Sequence, residues 1–122
     1  MEKTIQNSTI KFIQEIRSAT NNLLPNQSSA IPLHILFLVG LAYFEGKVLP
    51  LKSILTDKNF SEMGIRSHLK YLIDNQFINI TDSKEDGRAK LVTPTDKLIN
   101  ILLKFDSDVL IILKNNFLKI EK

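Results

Sequence analysis

Cysteine is absent from the 122 residues, which excludes disulfide scaffolds, thiol catalysis and cysteine-based zinc sites. Two histidines are too few for a zinc site built mainly from imidazole. Four glycines and four prolines exclude collagen-like or low-complexity chains and are sparse for a many-turned all-β domain. No charge of one sign dominates: 16 basic and 13 acidic residues leave +3, with a pI near 9.2. That balance permits a polyanionic partner without demanding one. No long hydrophobic run exists either. The longest apolar stretch, Ile35 to Phe44, falls far short of the ~20 residues that span a bilayer. The first residues, Met1 to Asn22, carry scattered charges and no apolar signal core. The expectation is a small cytoplasmic protein of one domain.

What is present is helical periodicity. From Thr4 to Leu24, apolar residues at Ile5, Ile10, Phe12, Ile13, Ile16, Ala19 and Leu23 recur mostly at steps of three and four. Pro25 to Ser29 is polar and reads as a loop, with Ser29 a candidate cap for a helix over Ile31–Glu45. That second helix is apolar on nearly every side, as befits the centre of a domain, and Gly46 follows it as a candidate C-cap. Val48-Leu49 reads as a minimal strand and Pro50–Leu55 as a short helix, with a turn over Thr56–Phe60.

Ser61 is a good N-cap for a helix over Glu62–Gln76, and Glu62 in its first turn suits the helix dipole. The inward stripe is Ile65, Leu69, Leu72 and Ile73. Phe77–Thr81 and Ala89–Thr93 alternate as strands around the charged turn Asp82–Arg88, which predicts a β-hairpin. Thr95 can cap a last helical segment over Asp96–Ile120, whose apolar stripe is wider than a small core needs. Asp106-Ser107-Asp108 is a candidate break within it.

A short helix, a tight turn, a longer helix and then a hairpin make a winged helix-turn-helix. The predicted class is mainly α with a small β-hairpin (α+β). The lobe covers 31–94, and flanking helices over 4–24 and 95–120 are available for dimerisation within a single domain, 1–122.

On the Glu62–Gln76 helix, the face opposite the apolar stripe carries Met63, Arg66, Ser67, Lys70 and Asp74. An α-helix fits the major groove, and Arg66 can pair bidentately with a guanine. Ser61, Ser67 and Lys70 can hold phosphates, which fixes register without reading sequence. In the turn, Arg88 can enter a minor groove, while Lys84 and Lys90 add phosphate contacts. From Gly46 to Pro94 there are eight basic and six acidic residues, so non-specific DNA affinity should be modest and salt-sensitive. The plainer alternatives are an ordinary amphipathic surface helix and a solvated charged turn.

The flanking helices carry rich apolar stripes that one winged helix cannot bury. Pairing Ile5, Phe12 and Ile16 with Val109, Ile112, Leu113 and Phe117, within and between copies, would cover them. A twofold homodimer would then present two reading helices to two half-sites.

Three local features carry a family resemblance over roughly residues 31–103. The first is Ser61-Glu62-Met63-Gly64-Ile65-Arg66-Ser67-His68-Leu69-Lys70-Tyr71-Leu72 with Asn75-Gln76-Phe77-Ile78 after it. The second is Asp86-Gly87-Arg88, and the third is Leu91-Val92-Thr93-Pro94-Thr95. These resemble the recognition helix, the wing Asp-x-Arg and the second wing strand of MarR-type bacterial transcription regulators. Gln76 stands where that family usually has Gly, Pro94 where it has Leu, and Leu98 where a Gly often follows. The resemblance implies a homodimeric regulator of double-stranded DNA in which Asp86 positions Arg88. It also implies release of DNA by a small-molecule effector, often aromatic, bound between the dimer helices and the lobe; the sequence does not name one. Other readings are a winged helix that contacts proteins without a specific DNA site, and a phage or plasmid replication or partition factor.

No cofactor is implied. His34 is read as a satisfied or partly exposed core histidine, and His68 lies beside the reading face as a weaker phosphate contact than Arg66. Asp106 and Asp108, two apart, do not share a helix face. No phosphate-binding glycine loop, nucleophile elbow or triad pattern is present, so an enzyme is not expected.

Overall fold

The computed structural model describes residues 2–24, 30–85 and 87–118, with the side chains of residues 2–8 and of Leu118 left aside. The predicted loop Pro25–Ser29, its capping Ser29, Asp86 and the side chain of Ile5 lie outside the described residues. The chain forms α1 (Glu2–Asn21), α2 (Ala30–Phe44), α3 (Leu51–Leu55), α4 (Glu62–Asp74), β1 (Ile78–Asp82), β2 (Lys90–Pro94) and α5 (Asp96–Leu113). A π-helical segment, Lys114–Leu118, follows α5. Two compact units result: residues 27–100, and residues 1–26 together with 101–122.

The first unit is the winged helix-turn-helix. Its core is built on α2, whose Ile35, Leu36 and Val39 are buried. α2 packs against α4 and β2. From α4 come Ile65, Leu69 and Leu72, from α3 Ile54, from β1 Ile78, and from β2 Val92. Burying a side chain of this size is worth roughly 1.5–3 kcal/mol relative to leaving it exposed. β1 and β2 pair antiparallel, with Ile80 opposite Val92 and Asp82 opposite Lys90. The short third strand expected at Val48-Leu49 is realised as a single bridge of Pro50 to Leu91, with the Val92 N–H donating to the Leu49 carbonyl.

Capping follows the sequence closely. The Ser61 hydroxyl accepts from the Gly64 N–H at 3.1 Å and starts α4. Gly64 sits so near Ile31 and Ser61 that a Cβ there would stand 3.2 and 3.1 Å from them. Its missing side chain therefore lets α4 start close against α2. Gly46 ends α2 with φ of 71°. Thr95 caps α5 by accepting from the Leu98 N–H, and its own hydroxyl donates to the Gln76 carbonyl at 2.6 Å. Lys97 reaches back to the Asn75 carbonyl and lies over the Phe77 ring. The α4–β1 corner is thereby tied to the start of α5.

That corner holds Gln76 at φ of 64°, the left-handed region where a Cβ is strained. The departure from glycine noted in the sequence thus falls where backbone geometry asks for one.

The turn between α3 and α4 is fastened to α2. Asp57 Oδ1 accepts from the Asn59 N–H at 2.8 Å, and Asp57 Oδ2 accepts from His34 Nε2 at 2.6 Å. The His34 ring also lies 5.1 Å from that of Phe60. The histidine is satisfied and partly exposed, as expected. The Asn59 N–H first, and the His34 contact second, hold the Asp57 carboxyl below its usual range, against partial desolvation.

Two expectations change. Ile73, expected inward, is 39% exposed. Four residues after Leu69, it falls about 40° further round the helix, at the margin of the buried stripe of Ile65, Leu69 and Leu72. It borders an open groove with Leu51, Leu55 and Ile80 instead. The break at Asp106–Asp108 does not occur; α5 runs through to Leu113. Asp106 and Ser107 face solvent, and Asp108 pairs with Lys104 one turn earlier at 3.1 Å, so nothing polar is forced inside. The regular helix ends instead at Leu113; in the π-helical segment that follows, Asn116 Nδ2 donates to the Ile112 carbonyl and to Glu15 of α1, both at 2.8 Å. The Glu15 carboxyl is lowered by that Asn116 contact and then by Lys11.

In the winged-helix unit, Gln76→Gly should raise stability by about 0.5–1 kcal/mol, because relief of the left-handed strain exceeds glycine's extra chain entropy. Urea unfolding at constant m-value measures it. Asp57 gives a pH signature. Its folded-state pKa lies below the unfolded value, so its stabilisation is complete above the ordinary aspartate range near pH 4 and drains away as pH falls through the folded value. Asp57→Ala should therefore flatten the loss of stability below about pH 4 in thermal melts taken across pH.

Candidate nucleic-acid interface

α4 is amphipathic because Ile65, Leu69 and Leu72 fall at helical spacing and are buried against the lobe. Its other face is open. Met63 is 81% exposed, and Arg66, Ser67 and Lys70 face solvent with it. Ser61 is exposed at the start, where its hydroxyl serves the cap and keeps its own proton available as a donor. His68 is half-buried beside this face. The sequence-predicted helix residues therefore share one exposed surface of one rigid element.

In the hairpin, Lys84, Arg88 and Lys90 are exposed, and Gly87 is in an open turn. Asp86, expected to position Arg88, lies outside the described residues. Lys90 pairs with Asp82 directly across the two strands.

The sequence reading named Glu62 and Asp74 without pairing them with the cations of the same helix. Arg66 is paired with Glu62 at 2.8 Å, and Lys70 with Asp74 at 2.8 Å. The Asp74 carboxylate raises the Lys70 pKa, keeping that ammonium protonated. The signal was available, since both pairs are four apart on one helix. Exposed pairs of this kind are worth about 0–1 kcal/mol and are weakened by salt, so a phosphate can displace them at low cost. The surface is thus a set of donors on a fixed helix with their charge largely cancelled, and it can engage a polyanion at defined points without a strong general attraction.

Among the described residues no cluster of three or more His, Cys, Asp or Glu is arranged to hold a metal ion. No helix among them is long and apolar enough to cross a membrane.

The unit of residues 1–26 and 101–122 holds the expected dimerisation residues. Phe12 and Phe117 pack edge to face within the chain, with ring centres 5.0 Å apart. Ile16, Val109, Ile112 and Leu113 are half-buried. Phe117 is itself 45% exposed, and the other strongly exposed apolar residues described in this unit are Ile10, Ile13, Leu103, Leu110 and Ile111. A stripe wider than one helix face could not be divided into inner and outer halves from spacing alone.

Neither a protein-family model nor a curated protein sequence matches the chain. Solved structures do. The transcriptional regulator Tm0710 from Thermotoga maritima is similar with a TM-score of 0.68 at 13% identity, over 96% of this chain and 80% of that one. A MarR-like transcription regulator from Bacillus cereus is similar with a TM-score of 0.54 at 11% identity, over 99% and 85%. A variant of ZitR from Lactococcus lactis is similar with a TM-score of 0.56 at 17% identity, over 73% of this chain. This chain spans 57% of that ZitR chain's length. With its helix-turn-helix, two-stranded wing and flanking helices, the chain has the MarR-type winged-helix fold.

Proposed function

We propose that the protein is a sequence-specific, double-stranded DNA-binding transcription regulator that acts as a homodimer. One observation carries this reading. The helix begun by the Ser61 cap buries one face in the lobe and offers Met63, Arg66, Ser67 and Lys70 together on the other. The first turns of such a helix are the part that reaches base edges in a major groove. Arg66 reads a guanine, while Ser61, Ser67 and Lys70 hold phosphates. Lys84, Arg88 and Lys90 of the wing engage the minor groove or its phosphates.

A second copy is supported by the apolar residues left outside. Ile10, Ile13, Leu110 and Ile111 are each about half or more exposed on α1 and α5. An open groove of about 660 Å³ between these helices is bordered by Ala19, Leu23, Ile101, Phe105, Ile111 and Ile112. Covering these surfaces with their symmetry mates would set two reading helices on half-sites about 34–36 Å apart. The half-buried Phe12, Ile16, Val109, Ile112 and Leu113 then form the inner part of the same seam, with Phe117 at its exposed margin.

Binding-site selection from random duplex, followed by a salt series, tests the function. The selected site should bind more tightly than random DNA. Each phosphate neutralised should add about 0.9 to the slope of log affinity against log salt. Arg66→Ala should cost about 1–3 kcal/mol of discrimination at one base pair. Equal affinity for all duplexes with no salt slope would instead favour a protein-contact module. Separately, Ile13→Glu with Ile111→Glu should convert a dimer to a monomer in sedimentation; an unchanged mass would remove the proposed seam.

A further inference from the structure

Glu62 stands one turn before Arg66; its Oε2 accepts from Arg66 Nε at 2.8 Å and lies 2.8 Å from Arg66 Nη2. A guanidinium offers parallel N–H groups on its side edge, made by Nε and one terminal nitrogen, and on its end edge, made by the two terminal nitrogens. Glu62 occupies the side edge. The end edge is what the helix presents outward, with both residues 60% exposed. The start of α4 is fixed by the Ser61 cap one residue earlier, so the carboxylate sits on a pinned first turn. The pair Lys70–Asp74 differs in kind. An ammonium is a point charge whose donors rotate, so its partner sets no edge.

We propose that Glu62 is a positioning residue for specificity: it clamps the side edge of Arg66 so that the end edge meets the paired acceptors of a guanine. This rests on the reading of α4 as the DNA-contacting helix. Glu62 lowers general affinity, because it cancels a cation beside phosphates, and raises discrimination, because the guanidinium arrives already oriented. The two effects have opposite signs, which separates the role from simple support of the fold.

Base-pair preferences of the full chain, Glu62→Ala, Arg66→Ala, the double variant and Asp74→Ala are compared by selection and titration on random and selected duplexes. Glu62→Ala should lose up to about fivefold in preference at the base pair where Arg66→Ala loses its own, while binding random duplex more tightly. In the Arg66→Ala background it should cost nothing further. Asp74→Ala should tighten binding to every duplex alike. Unaltered preference in Glu62→Ala overturns the inference. So does a loss at a different base pair, which would make Glu62 itself the reader of a cytosine. An equal loss of preference in Asp74→Ala would assign the effect to net charge and overturn it as well. A wild-type chain that selects no sequence overturns the reading of α4 itself.

Discussion

The burial of Ile35, Leu36 and Val39 of α2 against α4 and the hairpin is the constraint on which the rest of the lobe depends. α2 is apolar almost all round, so it has no preferred outer face of its own. Its orientation comes from the partners that surround it. α4 is the opposite case, with one narrow buried stripe. Once Ile65, Leu69 and Leu72 are committed to α2, the helix cannot roll, and the positions between them are fixed outward. The exposed surface of α4 is therefore a consequence of core packing. The Ser61 cap and the tether from His34 to Asp57 then fix where the helix begins, and the Thr95 hydroxyl, donating to the Gln76 carbonyl, ties down the corner just past its end.

Charge cancellation on that surface bears on how such a lobe would work. Arg66, Lys70 and Lys90 each have a carboxylate within their own element or hairpin. The Gly46–Pro94 segment as a whole carries only two more basic than acidic residues. A strongly basic lobe gains most of its affinity from phosphates and releases counterions wherever it lands. A nearly neutral one gains little at random sites. Discrimination then depends on directional contacts made at particular positions, where arginine's planar fork has an advantage over a rotating ammonium.

Much of the fold was legible because the sequence states it twice, once as periodicity and once as punctuation. Ser61, Gly46 and Thr95 mark ends that the apolar spacing marks independently. The hairpin was legible from alternation around Asp82–Arg88. Where only one signal existed, the reading was weaker. Asp106-Ser107-Asp108 looked like a break because polar residues interrupt an apolar stripe, yet an exposed helical turn accommodates them at no cost. Ile73 looked buried because it follows Leu69 at helical spacing, and the minimal strand read at Val48-Leu49 is too short to form more than a bridge. On the exposed face of α4, Met63, Arg66, Ser67 and Lys70 followed directly from the helical wheel. Their ion pairs were missed because opposite charges at four-residue spacing are ordinary on any solvated helix.

The distribution of buried side chains connects the fold to the proposed assembly. Among the described residues, the buried hydrophobics are mostly in residues 27–100, from Ile35 through Leu98, whereas the other unit contributes Leu23, Leu24 and Leu102. The lobe thus has a core of its own. The helical unit relies on partial burial along α1 and the end of α5, with the Phe12–Phe117 contact and the Glu15–Asn116 hydrogen bond holding the two segments together. Leaving Ile10, Ile13, Leu110 and Ile111 in water forgoes up to roughly 1.5–3 kcal/mol for each side chain that could otherwise be fully buried. A unit with so thin a core gains proportionally more from association than from any internal repacking. The same helix α5 begins at the Thr95 cap beside the α4–β1 corner and carries the exposed Leu110 and Ile111 near its end, which is the surface the proposed second copy would cover.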